Sequence, residues 1–253
     1  MVKASKPVVL ITGVSSGIGL ASAKMFVSQG WIVVGTVRGR TRTNALRALQ
    51  IDLQVAEMMK SRDLERVVQM AWRTYGRIDA LVCNAGYGAV GAIDTLEYAQ
   101  MNEQLAVNTL APAELIRLCV PLMRRQGYGA IIGISSVVGR TGFSGFGIYS
   151  ASKFALEGLF ESLSMELAVS QIRVKLVEPS GVNTPFWDDI DPSVRASRGM
   201  SAEVVAAVVY RAANDSSARL RYPLGQTRWF AYLRRILPER VFLRLLRRVV
   251  TGK

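Results

Sequence analysis

The run PVVLITGVSSGIGLASAKMFVSQGWIVVGTV (residues 7–37) holds two apolar, β-branched stretches, 7–12 and 31–37, separated by a glycine-rich loop and a helical pattern. In GLASAKMFVSQG (19–30) apolar residues recur at helical spacing, and Gly30 closes the helix. Strand, helix and strand in so short a span form the unit that pairs two strands in parallel through a crossover helix. The alternation continues. A weaker strand falls near 51–56, and DLERVVQMAWRTYG (63–76) has helical apolar spacing. IDALVCNAG (78–86) is a strand ending in a turn, followed by helical segments at about 97–106 and 109–126. GAIIGISS (129–136) is a strand, 148 to about 169 is helix, and IRVKLVEP (172–179) is a strand again. The strands are unbroken apolar runs, as expected where helices cover both faces of a sheet. The expectation is an α/β fold: one doubly wound domain with a parallel sheet of about seven strands.

Composition sets the outer limits. The chain has 253 residues, 50% hydrophobic and 20% charged, which suits one well-packed unit. No composition shift precedes about residue 185, so residues 1–225 read as the catalytic body, with a substrate loop at about 183–200. Residues 226–253 form a basic extension. No apolar run approaches the ~20 residues of a membrane span, and MVKASKPVVLITG leaves no room for a signal peptide. Cys83 and Cys119 give neither a disulfide framework nor metal-ligand spacing, so no metal site is expected; buried thiols in a reducing cytoplasm fit better. The net charge is +13. From Arg228 to Lys253 eight basic residues face one acid, Glu239, so this tail carries about half the excess. That concentration argues against a diffuse nucleic-acid-binding face.

The loop TGVSSGIG (12–19) lies where ligands bind in such sheets, beyond the carboxyl end of a strand. Gly13 and Gly17 allow tight turning and close backbone approach, and Gly19 lets helix and strand pack closely. The helix start offers unpaired N–H groups to a pyrophosphate. At the end of the second strand a free ribose 2′-OH meets an acid, whereas a 2′-phosphate meets an arginine. Here TVRGRTR supplies Arg38, Arg40 and Arg42, with no acid from Gly35 to Ile51. NADP(H) is therefore expected over NAD, with Arg38 as its main contact.

The chain has no histidine, the usual acid–base group near neutral pH. In IYSASKFALEGL (148–159), Tyr149 and Lys153 stand four apart and project from one helix face. Their unperturbed pKa values are about 10 and 10.4. Alone, the tyrosine reads as a packing residue and the lysine as a solvated one.

Six motifs in order resemble the short-chain dehydrogenases/reductases, from about residue 6 to 225. TGVSSGIG resembles the family's TGxxxGxG, CNAG (83–86) its NNAG, and AVNTLAP (106–112) the stretch carrying its active-site asparagine, here Asn108. IGISS (132–136) matches the serine strand, YSASK the YxxxK, and EPSGVNTPF (178–186) the PGxVxT segment. The usual thirteen-residue interval before the tyrosine selects Ser136. Two departures are Ser180 in place of glycine and Cys83 in place of asparagine. The resemblance implies a Rossmann fold and hydride transfer between a nicotinamide and a carbonyl or alcohol carbon. Tyr149 would move the proton, and Lys153 would lower the phenol's pKa towards working pH and hold the nicotinamide ribose. Ser136 would bind the substrate oxygen, and Asn108 a water linking Lys153 to solvent. The cofactor would meet Gly13, Ser15, Ser16, Gly17, Ile18 and Gly19, then Arg38, Glu57 and Met58, then Asn84, Ala85 and Gly86. Tyr149, Lys153, Pro179, Gly181, Val182 and Thr184 would complete its contacts. Counting back from GRID (76–79) favours Glu57 at the adenine, with Asp52 the other candidate.

The resemblance is closest to hydroxysteroid and retinol dehydrogenase-like members and implies a homodimer or homotetramer. Tyr87, Val90, Thr141, Phe143, Phe186 and Trp187 are the expected pocket walls. Being largely apolar, they fit a hydrophobic small-molecule carbonyl or alcohol that is steroid-, retinoid-, lipid- or polyketide-like. The tail TRWFAYLRRILPERVFLRLLRRVV (227–250) alternates aromatics with arginines, and Pro238 should divide it into two helices. It reads as a lid or packing element, with peripheral membrane contact as the other reading. A non-catalytic NADP-binding scaffold is the rival function, and the set Ser136, Tyr149, Lys153 and Asn108 argues against it. Nucleotide-sugar epimerases share YxxxK, but too little chain follows the sixth strand for their substrate domain.

Overall fold

The computed structural model describes residues 4–39, 44–187 and 199–251. Arg40 and Arg42, and most of the expected substrate loop, lie outside the described residues.

The first strand, β1 (Val8–Ile11), is fully buried and leads through the glycine loop into α1 (Gly17–Ser28) and β2 (Ile32–Val37). These strands pair in parallel with Val8 beside Ile32, as the opening run predicts. A short α2 (Asn44–Arg47) precedes β3 (Ile51–Val55), and α3 (Ser61–Tyr75) leads to β4 (Ala80–Cys83). Then come α4 (Tyr98–Leu105), α5 (Ala111–Gln126), β5 (Gly129–Ile134), α6 (Gly147–Glu166) and β6 (Ile172–Glu178). The chain closes with α7 (Ala202–Asn214), β7 (Arg221–Pro223), α8 (Thr227–Ile236) and α9 (Glu239–Thr251). Seven parallel strands take the order β3-β2-β1-β4-β5-β6-β7. The order reverses between β1 and β4, which opens a crevice at their carboxyl ends.

Each sheet face carries its own apolar core. One packs Leu64, Leu115, Met123 and Phe160 from α3, α5 and α6. The other packs Phe26, Val205 and Val209 from α1 and α7. Burial on both faces explains why the strands lack a polar alternation.

Two helices expected at 97–106 and 109–126 are one continuous helix. Residues Ala106–Leu110 form a π turn that joins α4 to α5. Over Tyr98–Gln126 this helix is long and apolar enough to cross a membrane by length and composition, which the sequence expectation of no such segment overlooked. Its residues Ala111, Leu115, Cys119 and Met123 are buried in the core beside the sheet. The tail divides as expected, with Leu237 extended between α8 and α9. Phe230 of α8 packs edge-on against Phe143 at 5.5 Å between ring centroids. Arg234 donates to the Arg140 carbonyl at 3.1 Å and lies over the Phe154 ring.

Candidate active site

A cleft of about 470 Å³ runs along the carboxyl ends of the strands. At its floor Gly13 and Gly17 adopt positive φ values of 72° and 55°, which glycine takes without strain. A side chain on Gly19 would strike the Gly13 carbonyl at 2.0 Å and Asn84 Nδ2 at 2.5 Å. Gly19 therefore packs against the loop and Asn84, a nearer neighbour than the strand expected from sequence. Asn84 locks this arrangement by donating to the carbonyls of Thr12 (2.8 Å) and Gly13 (3.1 Å). Thr12 Oγ1 accepts from the backbone N–H groups of Asn84 and Ala85, both at 2.9 Å. Thr12 is thus a positioning residue that the sequence reading left unassigned inside its own motif.

The start of α1 has no side-chain cap, and Ser15 through Gly19 line the cleft. The first helical N–H groups lack intrahelical partners and carry a partial positive charge, so they suit a pyrophosphate. Arg38 lines the cleft beyond β2, together with Glu57 and Met58 beyond β3. Asp52 is turned elsewhere: its carboxylate accepts from Tyr75 Oη at 3.0 Å and Gln54 Nε2 at 2.8 Å. Glu57 is the candidate that stands at the cleft. These donors and this cradle fit a nicotinamide dinucleotide.

Ser136, Tyr149 and Lys153 share one wall of the same cleft. Ser136 begins the turn after β5, and α6 brings Tyr149 and Lys153 to it one turn apart. Burial pushes the Tyr149 phenol up to about 12, while a hydrogen bond with Ser136 acts in the opposite sense. Burial also lowers Lys153, to about 8, with Glu157 opposing. The lysine Nζ donates to the Ile134 carbonyl at 2.8 Å and lies 5.9 Å from the Tyr149 ring centroid. It therefore reaches the end of β5 from beside the Tyr149 ring.

Asn108 sits one layer behind the cleft, at the π turn. Its Oδ1 accepts from Tyr87 N–H at 2.8 Å, and its Nδ2 donates to the Tyr87 carbonyl at 3.0 Å and Ser152 Oγ at 3.1 Å. Both ends of the amide thus hold the loop after β4, and Nδ2 also reaches Ser152 on α6. π turns free backbone groups and recur at functional sites.

Of the expected cofactor contacts, Ser15, Ser16, Ile18, Asn84, Ala85, Gly86, Pro179, Val182 and Thr184 also line the cleft, but Gly181 does not. Among the expected pocket walls, Tyr87, Val90 and Phe186 line it. Thr141 and Phe143 do not, since Phe143 is engaged by the tail. The Trp187 side chain lies outside the described residues. Gln100, Glu103 and Val107 reach the cleft from the α4–π segment, which no sequence motif marked. Ser180 replaces the expected glycine, and its Oγ accepts from Gln226 N–H at 3.3 Å, tying the segment after β6 to the start of α8.

The family model described as short chain dehydrogenase matches residues 7–195. The oxidoreductase YbbO of Escherichia coli (strain K12) is 34% identical over 254 residues, spanning 94% of this chain and 93% of that protein. Human retinol dehydrogenase 8 is 39% identical over 186 residues, 70% of this chain and 60% of that protein. The crystal structure of a short-chain dehydrogenase from Streptomyces avermitilis superposes with a TM-score of 0.82 at 30% identity, covering 98% of both chains.

Proposed function

Since the chain belongs to the short-chain dehydrogenase family and is an oxidoreductase of that fold, we propose that it transfers a hydride between NADP(H) and an apolar carbonyl or secondary alcohol. The observation that carries this reading is the convergence of Ser136, Tyr149 and Lys153 on the cleft that Arg38 and the glycine loop also line. Arg38, in a stretch with no acid from Gly35 to Ile51, favours a 2′-phosphate. The Tyr87, Val90 and Phe186 walls favour an apolar substrate, and the name of one relative, retinol dehydrogenase 8, points the same way.

The bound nicotinamide supplies or accepts the hydride. During reduction, negative charge grows on the substrate oxygen as the carbonyl bond opens. Ser136 donates a hydrogen bond to that oxygen, and Tyr149 gives up its phenolic proton. Lys153 stabilises the resulting phenolate and holds the ribose hydroxyls, and the phenol then regains a proton from solvent. Oxidation runs these steps backwards. Phe186, whose ring lies 6.0 Å from that of Tyr149, walls the reacting end with an apolar surface.

A homodimer or homotetramer built on α5 and α6 fits the exposed Leu110, Met165 and Val169. A cytoplasmic enzyme with peripheral membrane contact through α8 and α9 fits the basic tail. The decisive experiment is a panel of apolar ketones and alcohols followed by NADPH and NADH absorbance. Tyr149→Phe should lower kcat by about 10²–10⁴-fold; full turnover by this variant overturns the mechanism.

A further inference from the structure

Behind Lys153, on the same face of α6, stands Glu157. Tyr149, Lys153 and Glu157 follow one another at four-residue intervals, so all three project from one side of the helix. Glu157 is 5% exposed and meets Glu178, 1% exposed, at the last residue of β6 and next to Pro179 in the cleft wall. Arg140 and Arg221 each reach both carboxyls, which places the two side by side.

Two arginines serve both carboxyls. Arg221 Nε lies 3.0 Å from Glu157 Oε2 and 3.4 Å from Glu178 Oε1. Arg140 Nη1 lies 3.7 Å from Glu157 and 3.8 Å from Glu178. Arg221 Nη2 also meets Glu161, a third acid on α6, at 2.6 Å. From α8, Arg234 reaches the cluster through the Arg140 carbonyl. Nevertheless, among the described residues, Glu157 Oε1 and Glu178 Oε1 find no hydrogen-bond donor, and neither does the buried Ser135 Oγ close by. A side chain on Gly139 would meet Ser135 Oγ at 2.7 Å and Glu157 Cγ at 3.3 Å, so these groups surround one point.

Two buried carboxyls side by side cannot both ionise cheaply. A proton between them supplies the missing donor. With that proton in place, one charge on the pair and one on Glu161 match Arg140 and Arg221, so the Lys153 charge has no counter-ion within the cluster. We propose that Glu178 keeps a proton at neutral pH and directs it towards Glu157, and that the pair, through its single negative charge, is a positioning unit that keeps the Lys153 charge available to the cleft. Burial and the neighbouring Glu157 push the Glu178 carboxyl up to about 8, with both arginines acting in the opposite sense. The part of this inference that concerns catalysis rests on the roles proposed above for Tyr149 and Lys153; the proton itself does not.

Infrared difference spectroscopy of the full chain tests the proton directly. Wild type at neutral pH should show the carbonyl stretch of a buried carboxylic acid, lost in both Glu157→Gln and Glu178→Gln. A wild type without that band overturns the proposal, whatever the enzyme's activity. Either single variant still leaves the pair one charge, so the double variant should lose more than about tenfold in kcat/KM at pH 7 and more than either single variant. Glu178→Gln should also flatten the alkaline limb of the kcat/KM profile. Single variants as damaging as the double, or an unchanged pH profile, would sink the positioning role.

Discussion

Lys153 donates from Nζ to the carbonyl oxygen of Ile134 across 2.8 Å, linking the middle of α6 to the last residue of β5. That bond fixes a buried ammonium at the mouth of the sheet, where desolvation lowers its pKa to about 8. A group whose folded pKa lies below its unfolded value destabilises the fold while charged, so stability should rise as pH climbs from about 8 towards 10.5. Lys153→Met should remove that rise and lower kcat by about 10²-fold or more. Thermal unfolding of both proteins between pH 7 and 10 checks the first part; parallel curves would contradict it.

Arg38 and the cofactor phosphate form the second test. A charge-assisted contact contributes about 1.5–3 kcal/mol, so Arg38→Asp should weaken NADPH binding by roughly 10–100-fold. NADH binding should hold or improve, because an acid at this position suits a free ribose hydroxyl. Titration by fluorescence reads both affinities. Equal losses for the two nucleotides would defeat the assignment.

Much of this was legible because strands buried on both faces have no polar alternation to hide them. The seventh strand was not legible: Arg-Tyr-Pro has no apolar run, and only its pairing with β6 defines it. The join of α4 to α5 was missed for a related reason. One extra residue in the π turn breaks the apolar repeat and imitates a helix end. Residues 140, 157, 178 and 221 share no sequence spacing, so their cluster exists only once the sheet brings them together. Asn108 was singled out from its motif, but its partners Tyr87 and Ser152 lie twenty-one and forty-four positions away.

That partnership predicts a divided effect at Asn108. Asn108→Asp preserves the acceptor for Tyr87 N–H but cannot donate to the Tyr87 carbonyl or Ser152 Oγ. The Tyr87 carbonyl still accepts from Gln104, but a carboxylate now faces it in place of a donor, which should cost about 1–3 kcal/mol in urea unfolding. Turnover should fall as well, since the Tyr87 loop lines the cleft. An Asp variant as stable as wild type would remove Asn108 from this holding role.

Gly19→Ala tests the cradle at its tightest point. The new methyl meets backbone at 2.0 Å, and backbone cannot swing aside as a flexible side chain can. Overpacking of this kind costs about 1–3 kcal/mol and should shift the loop that receives the pyrophosphate. The expected result is lower denaturant resistance and weaker binding of both nucleotides. Unchanged nucleotide affinity would show that the loop's shape does not matter for binding.

The tail presents two faces with different partners. Phe242 and Leu246 of α9 are buried, and Phe230 is seated on Phe143. On the outside Trp229, Tyr232 and Ile236 of α8, with Leu243 and Leu245 of α9, remain exposed among arginines. An inner face that packs explains the lid reading, whereas an outer face of aromatics and guanidinium groups suits an anionic bilayer. The two readings are compatible, because different residues serve each. Trp229→Ala/Tyr232→Ala should leave thermal unfolding nearly unchanged, since both side chains are exposed. The same pair should reduce co-sedimentation with phosphatidylserine vesicles at low salt, and high salt should weaken wild-type binding. Phe230→Ala should do the reverse, costing about 1–2 kcal/mol of stability while leaving vesicle binding intact. Vesicle binding that survives deletion of 227–253 would place any membrane contact elsewhere on the molecule.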